Sequence, residues 1–265
     1  MSETIEIDKT SKELNKIYRH LLRNDKKIAQ MQKDLQGLRD LSNKQFKELY
    51  YANLLHDTIS NSNWLKDKSF SLHGWAANYS FIYMLYRILD VARPMHILEM
   101  GMGQTSRLTS QYIANCNLNA TLDIIENDAG WIATYKPQLA QGENIKVHLC
   151  DLELFKDGKS ECRKYKYLSD ITKDTKYDLI IIDGPWGAKQ TLPRSNILDL
   201  INNGNLSDDF IIIFDDAERT GEQNTIVNTH ALLKEKNVEY LTFKRNGIKT
   251  QQILASISKN FIQYI

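Results

Sequence analysis

The chain has 265 residues, 42% of them hydrophobic and 25% charged, which is enough apolar material for one well-buried core and an appendage. Its 34 Lys and Arg nearly balance 33 Asp and Glu, a net charge of +1, so no nucleic-acid partner is expected. Cys116, Cys150 and Cys162 are odd in number and lack CxxC spacing, which argues against a zinc site and for a reducing compartment.

The opening "MSETIEIDKTSKEL" is charged and has no apolar h-region, so it is not read as a secretory signal. No apolar run approaches the ~18 residues of a membrane span. A cytoplasmic protein without membrane insertion is expected.

Residues 1–50 are expected to be a helical, coiled-coil oligomerisation segment. Between 11 and 50 there is no Pro and one Gly, and apolar residues fall on a seven-residue repeat. Leu14, Leu21, Ile28, Leu35 and Leu49 form one series, interrupted by Ser42; Ile17, Met31 and Leu38 form the other, with Asn24 and Gln45 as polar members. The narrow seam and charged flanks predict a homo-oligomer through this helix. A single amphipathic helix folded back on its own domain is the plainer alternative.

Residues 51–93 read as a helical cap leading into the core, with the segment from Ala76 to Leu89 apolar on most faces and Pro94 ending it. From residue 94 to 265 the pattern changes. Short β-rich runs alternate with helical ones: "MHILEMG", "ATLDIIEN", "NIKVHLCD", "YDLIIIDG" and "DFIIIFDD" are each followed by helical or loop sequence. This predicts an α/β fold, a parallel Rossmann-like sheet of seven strands covered by helices. The final "VEYLTFKRNGIKTQQILASI" adds a terminal antiparallel hairpin through "RNGI".

In such a sheet, ligands bind beyond the carboxyl ends of the strands. "HILEMGMGQTS" places Gly101 and Gly103 there, with Thr105 and Ser106 opening the next helix. Ser106 stands where a GxGxxG fingerprint needs its third glycine, which weakens a pyrophosphate reading. Glu99, just before the turn, suits a cationic ligand; S-adenosylmethionine carries both a sulfonium and an amino group. Glu126 ends the second strand, 23 residues past Gly103, near the offset of about 20 at which a carboxylate accepts ribose hydroxyls. Asp151 ends the third strand. Asn127 and Leu152, beside these acids, complete the expected cofactor contacts.

"LEMGMGQTS", "IIENDAGW", "YDLIIIDGPWG" and "IIIFDDAER" together resemble the successive motifs of class I S-adenosylmethionine-dependent methyltransferases. The resemblance covers roughly residues 75 to 257 and is nearest in pattern to O-methyltransferases of sugars and small molecules, macrolide sugars and polysaccharides included. It implies methyl transfer to a hydroxyl of a sugar, glycan or related acceptor. In metal-dependent members the ligands occupy positions matching Asp183, Asp215 and Asp216, which implies Mg²⁺ or another divalent cation here. Converging carboxylates need a cation or a raised pKa to coexist; an acidic rim without metal, with Asp183 as base, is the alternative.

Asp183, Asp216, Arg219 and His73 are the expected catalytic residues. Trp186, Lys189, Arg194 and Trp75 are the expected substrate contacts: Trp186 as a stacking face, Lys189 and Arg194 for a phosphate or uronate, Trp75 and His73 folding over the acceptor. Methylation of an exocyclic base nitrogen is a competing reading, since "DGPW" is similar to an Asp-Pro-Pro-Trp/Tyr motif, but Gly184 replaces the first Pro. A non-catalytic assembly subunit is a third.

Overall fold

The computed structural model describes residues 2–72, 74, 76–116 and 119–265, with side chains from residue 11 onward. Helix α1 spans Ser2–Ser60. The chain divides into two units, residues 1–46 and residues 47–265. Side chains from 11 to 46 are all exposed, Leu14 at 68% and Leu38 at 63% among them.

In the second unit α2 (Tyr79–Ala92) is buried on most of its surface, and it stops where Arg93 turns left-handed ahead of Pro94. Then follow β1 (His96–Met100), α3 (Gln104–Asn115), β2 (Thr121–Glu126), α4 (Ala129–Tyr135), β3 (Ile145–Leu149), β4 (Leu152–Asp157), β5 (Ser160–Tyr165), α5 (Leu168–Thr172), β6 (Tyr177–Ile182), α6 (Asn196–Asn202), β7 (Leu206–Phe214), α7 (Thr220–Glu235), β8 (Tyr240–Asn246) and β9 (Thr250–Ser256). Seven strands form one sheet in the order β3-β2-β1-β6-β7-β9-β8, parallel except where β9 pairs antiparallel with β7 and β8. The expected seven-stranded sheet and terminal hairpin are both present.

Unexpectedly, β4 and β5 form a separate antiparallel hairpin around Gly158. Its "KDGK" turn carries the Asp-Gly signal of a tight hairpin.

The central strands are apolar because both faces are covered. Ile181 and Ile213 pack on the α2–α3 side with Phe81, Ile88 and Tyr112. Ile180, Ile182 and Ile212 pack on the opposite side with Ile197, Leu200 and Leu233. This period-two alternation fixes register: a one-residue slip in β6 would exchange the two cores. The chain winds outward from β1 through β2 to β3 and then returns to β6 beside β1. The tips of β1 and β6 therefore form the switch point, where such sheets bind ligands.

Candidate active site

A cavity of about 380 Å³ opens at this switch point, lined by Gly101, Met102, Glu126, Asn127, Asp128 and Trp131 on one side and by Asp183, Gly184, Pro185, Trp186, Arg194, Asp216, Arg219 and Lys249 on the other. Two glycines let the strand tips meet. Gly101 has φ +96°, and a Cβ on it would lie 2.8 Å from the Gly184 nitrogen. Any side chain on Gly184 would in turn collide with Gly101 and with the Tyr165 hydroxyl.

Glu126 is held open by backbone. Its Oε1 accepts from the amides of Asn127 (2.7 Å) and Asp128 (2.9 Å), and its Oε2 accepts from Met102 N (3.1 Å). A carboxylate offers about four acceptor positions, so one remains toward the cavity. Trp131 Nε1 donates to Met102 O at 2.6 Å and fixes the indole on the same wall. Tyr165 Oη, fully buried at the cavity lining, has no hydrogen-bond partner among the described residues.

Across the cavity stands the acidic cluster. Asp183, Asp215 and Asp216 converge as expected, with one carboxylate oxygen of each within 4.8 Å of the others. Their neutralisation comes from the chain itself. Arg194 Nη2 lies 2.9 Å from Asp216 Oδ2 and 3.3 Å from Asp183 Oδ1. Arg219 Nη1 reaches the same Asp216 oxygen at 2.8 Å. Lys249 Nζ lies 3.3 Å from Asp215 Oδ2 and 3.7 Å from Asp216 Oδ1. Gln251 Nε2 donates to Asp215 Oδ1 at 2.7 Å.

A hard divalent ion needs an array of oxygens facing it. Here both Asp215 oxygens, Asp216 Oδ2 and Asp183 Oδ1 already face guanidinium, ammonium or amide donors, and an added dication would be repelled by Arg194 and Lys249. Asp216 Oδ1 alone is buried without a hydrogen-bond partner among these acids, so a Mg²⁺ ion would have to displace Lys249 or Arg194 to gain further oxygens.

Burial, then the charge of Asp215, pushes Asp183 up to about 7 despite Arg194 and Lys249. Burial alone would lower Lys249, but the charges of Asp215, Asp183 and Asp216 outweigh it and hold the ammonium above its ordinary range. The cluster thus contains one weakly acidic carboxyl and fixed cations around it.

Gln251 also donates to Asn78 Oδ1 at 3.0 Å, and Asn78 Nδ2 donates to Glu48 Oε2 at 2.9 Å. Glu48 is buried, and it accepts from Ile248 N at 3.2 Å and from Tyr79 N at the start of α2. This network braces Asp215 from behind.

Not every expected residue reaches the cavity. Glu99 is wholly buried beneath it: Oε1 accepts from the hydroxyls of Thr105 and Ser106 (2.8 Å), and Oε2 accepts from Thr109 Oγ1 at 2.9 Å. Burial pushes this carboxyl up to about 7. The acid expected to meet a cationic ligand instead ties β1 to the first turn of α3, and Thr105 and Ser106 are spent on it. Gly103 N donates to Ser106 Oγ at 3.0 Å, closing the same turn.

Asp151 and Leu152 lie outside the cavity lining, because the chain leaves β3 directly into the β4–β5 hairpin; Lys166 N donates to Asp151 O at 2.8 Å. Lys189 is exposed on a neighbouring surface with Gln190 and Thr220. Arg194, expected as an anion contact, is buried and committed to acids. Trp186 sits at the cavity with 54% of its surface exposed. His73 and Trp75 lie outside the described residues.

Trp131, Tyr165 and Lys249 are absent from the sequence-derived set. Lys249 had one available signal: in "RNGIK" it immediately precedes the strand that pairs with the "FIIIFDD" strand, so an antiparallel hairpin returns it to the acidic tip.

Comparison with solved structures returns the O-methyltransferase TomG from Streptomyces achromogenes, a tomaymycin-synthesis enzyme in complex with SAM, at a TM-score of 0.52 and 13% identity, covering 81% of this chain and 98% of that one. The chain has the fold of that methyltransferase. Podospora anserina methyltransferase PaMTH1, bound to SAH, aligns at 0.46 with 12% identity over 68% of this chain and 79% of its own. The O-methyltransferase from Bacillus cereus, in complex with SAH, aligns at 0.45 with 11% identity over 78% and 91%. No protein-family model matches the sequence, and the curated proteins include no match. Among the described residues no helix is long and apolar enough to cross a membrane.

Proposed function

We infer that the chain is an S-adenosylmethionine-dependent O-methyltransferase that acts on a hydroxyl of a sugar, glycan or related polar acceptor, and that it does so without a divalent metal. The observation that carries this reading is the pairing of Glu126 and Asp183 across the Gly101–Gly184 contact, one acid on each wall of a single cavity at the switch point.

The residues fit the donor. Glu126 keeps one acceptor position toward the cavity for a ribose hydroxyl, Trp131 offers an indole wall, and the unpartnered Tyr165 hydroxyl points to a polar ligand group that completes it. The bound donor supplies an electrophilic methyl group on a positively charged sulfur.

The chain supplies position and a base. Asp183, with 26% of its side chain exposed, takes the acceptor hydroxyl proton on a carboxylate oxygen, and its raised pKa places it near the operating pH where a base is most effective. Lys249, Arg194 and Arg219 pair with Asp215 and Asp216 and fix them in place, the role expected of a metal. The exposed Trp186 supports a sugar-type acceptor, since an indole at a cavity mouth gives a pyranose ring an apolar face to lie on.

Incubating the protein with S-adenosylmethionine and a panel of hydroxylated acceptors, and following S-adenosylhomocysteine release, tests the reading. Acceptor-dependent release that Asp183→Asn abolishes supports it; release that Asp183→Asn leaves intact contradicts it.

A further inference from the structure

We propose that residues 14–45 of α1 pair with the same residues of a second copy of this chain, side by side, parallel and in register.

An isolated helix in water is marginal, and most helical stability in proteins comes from packing an apolar face. Every side chain from 11 to 46 is exposed, yet the stretch carries an apolar seam about 45 Å long at 1.5 Å per residue. Leu21 is 56% exposed, Leu35 57% and Met31 63%. These residues alternate at steps of three and four, which fits one partner helix wound along the seam.

The identity and direction of that partner follow from the polar members of the seam. In a parallel, in-register pair, Asn24 faces Asn24, Ser42 faces Ser42 and Gln45 faces Gln45, so each buried polar group meets one that can hydrogen-bond with it. The antiparallel register that keeps the whole seam engaged sets Asn24 against Leu35, Ser42 against Ile17 and Gln45 against Leu14. Each polar side chain would then be buried against an apolar one, at about 1–3 kcal/mol for each unsatisfied group.

The flanks agree. In parallel coiled coils the residue before one seam layer meets, on the other helix, the residue five positions later. That brings Asp34 to Arg39, His20 to Asp25 and Leu41 to Phe46, with no like charges opposed. Leu41 and Phe46, 51% and 73% exposed, extend the apolar contact where the seam itself turns polar. A seam whose own residues satisfy one another needs no second kind of chain.

Cysteine trapping on the full-length protein tests direction, and light scattering tests partner. The wild-type chain, whose cysteines lie outside this helix, is the control. The parallel pair predicts a dimeric mass, and Leu21→Cys alone should give a covalent dimer on mild oxidation. Leu21→Asp combined with Leu35→Asp should weaken dimerisation roughly 100-fold or more. A monomeric wild-type chain overturns the proposal. So does cross-linking of Leu21→Cys only when it is mixed with Leu38→Cys, the antiparallel signature. These outcomes are independent of any methyl transfer.

Discussion

Arg194 Nη2 stands 2.9 Å from Asp216 Oδ2, both side chains almost wholly buried, and the same guanidinium lies 3.3 Å from Asp183. One cation therefore serves two acids that would otherwise repel. Removing one partner of a buried pair leaves an uncompensated charge, and costs about 3–5 kcal/mol. Arg194→Met should lower the urea midpoint at pH 7.5 accordingly, and Arg194→Lys should recover part of the loss. A change below about 1 kcal/mol in Arg194→Met would show that the pair does not carry the cluster.

Because Lys249 and Arg194 already face the acids, the enzyme should keep its turnover after exhaustive dialysis against EDTA, within about twofold of untreated protein. Mg²⁺ titrated into the apo-protein should give no saturable heat at millimolar concentration. A chelator-sensitive rate restored by Mg²⁺ contradicts the cation-held cluster.

Asp183 must be ionised to accept a proton, so kcat/KM should rise with pH and level off above about 7, the value that desolvation and the Asp215 charge set together. Asp183→Asn should lower kcat by about 10²–10⁴ with KM little changed. A pH-independent rate between 5.5 and 8.5, give or take about twofold, does not agree with this base.

Glu99 gives a prediction on stability alone. Its folded pKa, about 7, lies above its ordinary 4.5, so the protonated form is the one the fold favours. Its contribution is fully present below about 4.5 and is lost as pH rises through 7, on the order of 3 kcal/mol in all. Glu99→Gln should flatten the decline in denaturation midpoint between pH 5 and pH 8. An unchanged decline in that variant assigns the pH dependence elsewhere.

The sheet was legible in the sequence because its strands are covered on both faces and so read as unbroken apolar runs, "LIII" in β6 and "FIIIF" in β7. The β4–β5 hairpin was less so. It is an edge ribbon whose residues, apart from Cys162 and Tyr165, are at least partly exposed, leaving only its Asp-Gly turn as a signal.

In the site, Glu126, Asp183 and the Asp215–Asp216 pair were legible because each ends an apolar strand, and strand ends of one sheet share a rim. Glu99 shows the limit of that rule. It sits one residue before its strand's end, so its side chain falls on the face that α3 covers, where three hydroxyls claim it. The counter-charges were hidden for a different reason. Arg194 and Lys249 come from a loop and a hairpin more than 30 residues apart, and only the folded chain brings their side chains to the same acids.

The central claim is that Glu126 and Asp183 frame one cavity for a nucleoside donor, and calorimetric titration with S-adenosylhomocysteine tests it most directly. The account predicts saturable one-to-one binding, weakened about 10–100-fold in Glu126→Ala as a charge-assisted contact to the ribose is lost, with a melting curve checking that the variant is folded. No detectable heat from the wild-type protein at millimolar ligand would contradict it.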